Sequence, residues 1–461
     1  MTETAAPAGV AGSSTEELVE LATRIAGMAR AGEELEVYVS RGIETDVRAY
    51  EGKIESLSSA ASAGVGIRVL SGGRQGFAYA GTLDEAVMAE TLADARDNVG
   101  FASVDPHLAL AEADGVAPVA IDVWDEALLS TPSAAKVELA LELERRARSA
   151  DPRVRQVSSA DYGDIAAEAA IATSAGIVAA SRRTVASLGV EAIAGEGAGS
   201  QSGYGFSAAR GPGELDIEKA ATDAVERAVR MLGATKPRSS RCVVVFDPRV
   251  ASTLLAVISS ALSGEAVTKG RSFFADRIGE QVAAPSITLV DDPTDIRAFA
   301  ASAYDAEGLA CRRNVLIDSG VLRGFVYDTT SARRAGTVST ASAVRGGYAS
   351  TPTAGCRALT LTPGPLDATG ILADVGEAFF VQSVTGVHSG VNPVSGDFSV
   401  GAEGLMVRAG QLAEPVREVT VASTLQRMLQ SLLHIGSDVE WLPGVAAGQT
   451  LAIADMSLSG A

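Results

Sequence analysis

Histidine and cysteine are scarce in this sequence. The three histidines, His107, His388 and His434, stand far from one another. A helix-borne zinc site needs two imidazoles within about a turn or two, so that arrangement is excluded by inspection. The three cysteines, Cys242, Cys311 and Cys356, are dispersed, odd in number and without a Cys-x-x-Cys pair, which fits buried thiols in a reducing compartment. No apolar run approaches the roughly 20 residues that span a bilayer. The opening residues, Met1 to Pro7, have neither the basic start nor the apolar stretch of a secretory signal, so a cytoplasmic location is expected. Positive charge is in the minority, with 38 Lys and Arg against 57 Asp and Glu, a net −19 that repels polyphosphates and anionic membranes. The densest basic cluster, Arg145-Arg146-Ala147-Arg148, falls at the end of an expected helix, where cations suit the dipole. Neither nucleic acid nor membrane is expected as a partner.

Common catalytic signatures are missing too. Gly195-Glu196-Gly197-Ala198-Gly199-Ser200 fails the dinucleotide pattern at Ser200, and Gly264 to Lys269 misses the phosphate-loop pattern; both read as flexible or bulged β-structure. No Gly-x-Ser-x-Gly elbow occurs, and a serine triad would have to draw its base from His388 or His434. A dispersed metal site built from His388, Asp397 and Cys356 has no local pair of ligands to start from.

What is present describes an ordinary globular chain. At 461 residues and 47% apolar content it can bury the cores of two or three domains. Ser14-Thr15-Glu16-Glu17 has capping-box spacing and predicts a helix to about Arg30, with Leu18, Leu21, Ile25 and Met28 on one face. Strand-like segments follow at Glu36 to Val39, Val65 to Val69 and Gly76 to Tyr79, then a helix over Asp84 to Val99. The order recurs: a helix from Ser133 to Ser149, strands within Val154 to Val190, a glycine-rich stretch, and a helix from Ile217 to Leu232. We therefore expect an α+β fold, with antiparallel strands and flanking helices over residues 1–238. Lys236 to Ser240 reads as a linker. Residues 239–461, rich in short apolar segments and Gly/Pro breaks, predict a β-rich C-terminal domain, with strands such as Gly324 to Tyr327 and a late helix over Ser423 to Leu433. Leu425, Met428, Leu429 and Leu432 on that helix are expected in the core.

The most informative stretch is Val391 to Pro415. Its Asn392, Gly396-Asp397-Phe398-Ser399, Gly401, Gly404, Gly410 and Pro415 resemble the C-terminal core of the TldD/PmbA family. In that family one subunit is a zinc-dependent peptidase and its partner carries no metal. The catalytic subunit has His-Glu-x-x-x-His on a helix, two imidazoles for zinc and a carboxylate for the water proton. Here the corresponding helix follows the strand Cys242 to Phe246, and the three positions fall at Leu255, Ala256 and Ser260, none able to do that work. A further cysteine of the catalytic subunit corresponds to Ala446. The resemblance thus implies a PmbA-like, or TldE-like, chain without catalytic or metal-binding residues of its own. It implies zinc in a TldD-like partner, and a substrate of unfolded or leader peptide bound in a chamber that both chains complete.

Other uses stay open from the residues alone. Asn392, Asp397 and Ser399 either bind peptide or fix a loop, and for Asp397, between a glycine turn and a strand, the structural use is preferred. Arg333 and Arg334 either steer a peptide or partner, or are a solvated basic pair. A stand-alone homodimer that binds peptides, and an autonomous non-metal hydrolase using Ser389, His388 or Asp397, are the rival functions.

Overall fold

The computed structural model describes residues 15–460; Ser14, the expected helix cap, lies outside them. The first helix, α1 (Thr15–Ala26), buries Leu18, Ala22 and Ile25, while Met28 falls beyond its end and is exposed. Then come β1 (Glu34–Tyr50), β2 (Lys53–Ser71), β3 (Arg74–Ala80) and α2 (Glu85–Val99), which Asp84 caps through Ala86 and Val87 N–H. After α3 (Glu126–Ser130) the pattern repeats with α4 (Ser133–Ala150), β4 (Val154–Thr173), β5 (Val178–Ala194), β6 (Gln201–Ala209) and α5 (Ile217–Val229).

All six strands form one antiparallel sheet in the order β3-β2-β1-β4-β5-β6. The two helix–three strands–helix units therefore meet at the β1–β4 pair, and the sheet reads the same from either edge. Odd positions of β1 explain the helical layer. Leu35, Val37 and Val39 pack with α1 and α2, and Val47 and Ala49 pack with α4 and α5, all with the period of two that a pleated strand imposes. A buried ion pair sits in this layer, with Lys136 Nζ 2.5 Å from Asp164 Oδ2, which also accepts from Tyr162 OH at 2.6 Å.

The C-terminal region begins with β7 (Ser240–Phe246), α6 (Pro248–Ala261) and α7 (Gly264–Thr268), then β8 (Leu289–Asp291), β9 (Asn314–Asp318), β10 (Val321–Leu322) and α8 (Thr329–Ala335). It continues through β11 (Ala343–Val344), β12 (Thr353–Ala354), β13 (Leu359–Leu361), α9 (Ala368–Val375), β14 (Ala378–Thr385) and α10 (Val387–Gly390). The last elements are β15 (Asp397–Arg408), β16 (Gln411–Thr424), α11 (Leu425–Gln430), β17 (Leu432–Ile435) and β18 (Leu451–Ser459). The larger sheet runs β16-β15-β14-β7-β18-β17, and an extra β16–β18 pairing closes five of its strands into a ring. Only β7 and β14 in it run parallel. A small antiparallel sheet, β10-β9-β8-β13, stands beside the ring, and α6 packs against both β14 and β13.

The α+β class is as expected, and the strand-rich C-terminal region with it. Four local expectations are corrected. Gly264 to Lys269 is mostly the helix α7; its glycine is required because a Cβ there would lie 2.0 Å from the Tyr327 ring. Gly324 to Tyr327 forms no strand, only an isolated bridge from Val326 to Ser263. The late helix stops at Gln430, and Leu432 belongs to β17, although Leu425, Met428, Leu429 and Leu432 do share one core. Gly195 to Ser200 is a tight connection between β5 and β6 with one 3-10 turn.

Candidate functional site

The helix α6 carries Leu255, Ala256 and Ser260, to which the resemblance assigns the family motif. Asp247 sets its start: Oδ1 accepts from Arg249 N at 3.0 Å, and Pro248 stands in the first turn, where a missing N–H costs nothing. The same carboxylate pairs with Arg227 of α5 at 2.6 Å, and Arg249 pairs with Asp223 of α5 at 2.7 Å. The N-terminal helical layer thus fixes the start of α6.

Along α6, residues five apart lie about 140° apart round the axis. Leu255 accordingly points into the core, 2% exposed, whereas Ser260 is exposed and spends its hydroxyl on Val257 O at 2.7 Å. Ala256 is half-buried. The chain returns to this helix some 190 residues later: Ser252 Oγ donates to Ala446 O at 2.8 Å, and Val445 and Ala447 bond to Leu359 of β13. Ala446 and Leu255 are both buried in the same apolar cluster. Leu, Ala, Ser and Ala offer neither thiolate nor imidazole nor carboxylate, so the residues present do not fit a zinc ion. Among the described residues no group of three or more His, Cys, Asp or Glu side chains could hold a metal.

The remaining predicted residues lie elsewhere. Asn392 Oδ1 accepts from Val394 N at 2.9 Å, Asn392 N donates to Asp397 O at 2.9 Å, and Asp397 Oδ2 accepts from Ser395 Oγ at 2.7 Å. These bonds close a surface loop ahead of β15, with Asp397 and Ser399 both exposed. Ser389 Oγ donates to Gly386 O, and no hydrogen bond joins Ser389, His388 and Asp397 to one another. His434 is in β17 and pairs with Asp374 at 2.8 Å. Arg333 and Arg334 share α8 but not a role: Arg334 pairs with Asp105 at 2.6 Å, tying the C-terminal region to the N-terminal one, while Arg333 is exposed.

Sequence reasoning missed a buried charge cluster between the two regions. Glu36 of β1 accepts from Arg68 of β2 at 2.6 Å and from Arg345 at 2.8 Å, each side chain 3% exposed. Burial opposes ionisation of Glu36, yet the two guanidinium groups outweigh it and hold the carboxyl below its usual range. Glu307 lies 3.9 Å from Arg68 and accepts from Thr329 N and Oγ1. Burial pushes its carboxyl up to about 8. Arg345 also borders a depression of about 530 Å³ between Phe77 of β3 and the β11–β12 hairpin, lined further by Val344, Ser350, Thr351 and Thr353. That lining holds no histidine, cysteine or carboxylate, hence no nucleophile–base pair.

Comparison with known proteins accords with this architecture. Three family models match in succession: PmbA/TldA metallopeptidase domain 1 over residues 35–103, the central domain over 126–232, and the C-terminal domain over 239–460. The chain belongs to the PmbA/TldD metallopeptidase-like family. Metalloprotease PmbA of Escherichia coli O157:H7 is 27% identical over 448 residues, covering 96% of each chain. A metalloprotease TldD homolog of Haemophilus influenzae is 26% identical over 82% of this chain and 80% of its own. Among solved structures, a putative modulator of DNA gyrase from Bacteroides thetaiotaomicron superposes with a TM-score of 0.86 at 25% identity, over 97% of this chain and 99% of that one. TldE from Thermococcus kodakarensis shares the fold with a TM-score of 0.85 at 22% identity, over 93% and 97%.

Proposed function

We propose that this chain is the metal-free, TldE-like subunit of a two-chain zinc metallopeptidase that degrades or processes unfolded and leader peptides in the cytoplasm. A TldD-like chain holds the zinc and supplies the carboxylate that handles the water proton, and this chain completes the substrate chamber. The reading rests on one point: in a chain matched by metallopeptidase family models, the positions we assign to the motif are Leu255, Ala256, Ser260 and Ala446, of which Leu255 and Ala446 are buried in the same apolar core. Alkyl side chains at Leu255 and Ala446 suit a core that holds no metal, because unpaired buried ligands would each cost free energy. An exposed strand edge suits an extended peptide held by main-chain hydrogen bonds, which gives weak sequence preference. The test is reconstitution: mixing the purified chain with a TldD-like subunit from the same source is expected to generate peptidase activity on an unstructured peptide that neither shows alone, and a TldD-like subunit fully active without this chain would overturn the reading.

A further inference from the structure

The depression beside Phe77 is walled by two elements far apart in sequence, β3 and the loop 345–352 that joins β11 to β12. That loop is anchored on both sides. The Arg345 guanidinium leaves toward Glu36, 3% exposed, so this residue meets the depression with its main chain. At the tip, Tyr348 sits on β2: a Cβ at Gly64 would lie 2.6 Å from the Tyr348 ring, and one at Gly66 would collide with the Tyr348 carbonyl and meet the Phe77 ring at 3.3 Å. Tyr348 in turn faces Tyr79, with ring centroids 6.4 Å apart, and Tyr79 faces Phe77 at 6.2 Å. Within the loop Ser350 Oγ accepts from Gly346 N at 3.0 Å and donates to Gly347 O at 3.1 Å. A loop held at its base, across its middle and at its tip is a fixed wall, and a fixed wall spares a ligand the cost of ordering it.

The chemistry of the lining narrows the ligand. A volume of about 530 Å³ falls within the roughly 300–1,000 Å³ of small-ligand pockets. Phe77 and Val344 supply apolar wall, and Thr351 and Thr353 supply hydroxyls that have no hydrogen-bond partner among the described residues. No ionised group is free to serve it: Arg345 is the one charged residue of the lining, and its guanidinium is spent on Glu36 and on Ala306 O. On a chain of net charge −19, such a lining is complementary to an uncharged group with hydrogen-bonding atoms beside it. An apolar side chain in an extended peptide has that chemistry, whereas a charged side chain would shed water here and gain no counter-charge.

We propose that this depression is a subsite for one apolar side chain of an extended peptide, with Phe77 and Val344 receiving the side chain and Thr351 and Thr353 bonding the main chain next to it. Taking a peptide as the ligand rests on the function proposed above. The subsite adds a preference for apolar residues to main-chain recognition, which has little preference of its own. It holds a peptide without cutting it, because no nucleophile–base pair lines it.

A fluorescein-labelled Gly/Ser peptide with one central leucine is expected to bind the full chain saturably in fluorescence anisotropy. Lysine or glutamate in place of that leucine should weaken binding about tenfold or more, the order expected for one buried side chain. Phe77→Ala should weaken the leucine peptide about fivefold or more and leave an alanine-centred peptide within about twofold. Ala349→Trp, which fills the depression from its exposed rim, should abolish the leucine preference. Both variants should keep the circular dichroism spectrum of the wild type, and Tyr204→Ala, at the exposed aromatic of the opposite edge strand β6, should change nothing. Benzoylphenylalanine at the central position of the peptide should photo-cross-link to β3 or to residues 344–353. No saturable binding, equal binding of the leucine, lysine and glutamate peptides, or a leucine preference untouched by both F77A and A349W overturns the subsite. The two readings fail separately: reconstituted peptidase activity on a leucine peptide that this chain alone does not bind removes the subsite and keeps the two-chain enzyme, whereas apolar-selective binding by this chain, beside a TldD-like subunit fully active without it, does the reverse.

Discussion

Arg345 Nη2 stands 2.8 Å from Glu36 Oε1, joining the β11–β12 hairpin of the C-terminal region to the first strand of the N-terminal sheet, with both side chains 3% exposed. The same nitrogen donates to Ala306 O at 2.7 Å, and the guanidinium stacks on Tyr38 with its carbon 4.5 Å from the ring centroid. Removing one partner of a buried pair leaves the other charged and desolvated, at about 3–5 kcal/mol. Arg345→Ala is therefore expected to lose roughly that much stability in urea unfolding, and Arg345→Lys to recover only part of it, because an ammonium cannot stack and fork as a guanidinium does. A change under 1 kcal/mol for Arg345→Ala would count against a structural role for the pair.

Glu307 provides a pH test in the same cluster. Its folded carboxyl is pushed up to about 8 by burial, with Asp305 and Asp328 adding to the rise and Arg68 opposing it, against an ordinary value of 4.5. Between those values the folded chain keeps a proton that the unfolded chain has released, so unfolding free energy falls as pH rises through the window and levels off above it. Glu307→Gln retains an acceptor for Thr329 and abolishes the titration. Stability measured by urea unfolding at several pH values from about 5 to 8 should fall less steeply for E307Q than for the wild type. Asp291, pushed up to about 6 by burial, contributes in the same direction at lower pH and is common to both proteins. Identical slopes would remove Glu307 from the account.

Asp247 has two duties that two variants separate. Asp247→Asn keeps an oxygen to cap α6 but loses the charge facing Arg227, whereas Asp247→Ala loses both. Loss of a cap costs about 1 kcal/mol, and loss of a buried partner about 3 or more. Denaturant midpoints should rank wild type above D247N and D247N above D247A. Equal midpoints for the two variants would mean that the cap contributes nothing.

Close backbone approach makes a further prediction at Gly205. A Cβ there would lie 1.8 Å from Ala220 O and 2.7 Å from Ala224 N, so β6 and α5 touch through this residue. Gly205→Ala must force the helix off the sheet, an overpacking that costs about 1–3 kcal/mol or more. Gly213→Ala, where a Cβ meets open space, should stay within about 0.5 kcal/mol of wild type. Thermal melts of the pair side by side would decide it.

Much of this was readable in the sequence where side chains advertise their faces. The helices α2, α4 and α5 lie where the sequence reading put them, and α6 lies where the family resemblance did. The long strands were seen only in part. Glu36 to Val39 shows apolar residues, but β1 continues to Tyr50 through Arg41, Glu44, Asp46 and Arg48, whose charged side chains hide the alternate inward positions Thr45, Val47 and Ala49. Ser56 to Ala63 of β2 is so poor in large residues that no period can be detected. At the candidate site the helix α6 was legible through the family resemblance, because it directly follows the strand Cys242 to Phe246. The contact of Ala446 with Ser252, and the cluster of Glu36, Arg68, Glu307 and Arg345, were not. Their partners are 32 to 309 positions apart, and only the folded topology brings them together.

The central claim is that this chain has no metal chemistry of its own. Its most direct test is elemental analysis of the purified chain after equilibration with zinc and removal of loosely held ion, alongside a peptidase assay on the same sample. The account predicts far less than one zinc per chain and no hydrolysis of an unstructured peptide. One tightly held zinc per chain with chelator-sensitive cleavage, absent from a variant altered at a residue outside α6, would contradict it and place a catalytic centre elsewhere in the fold.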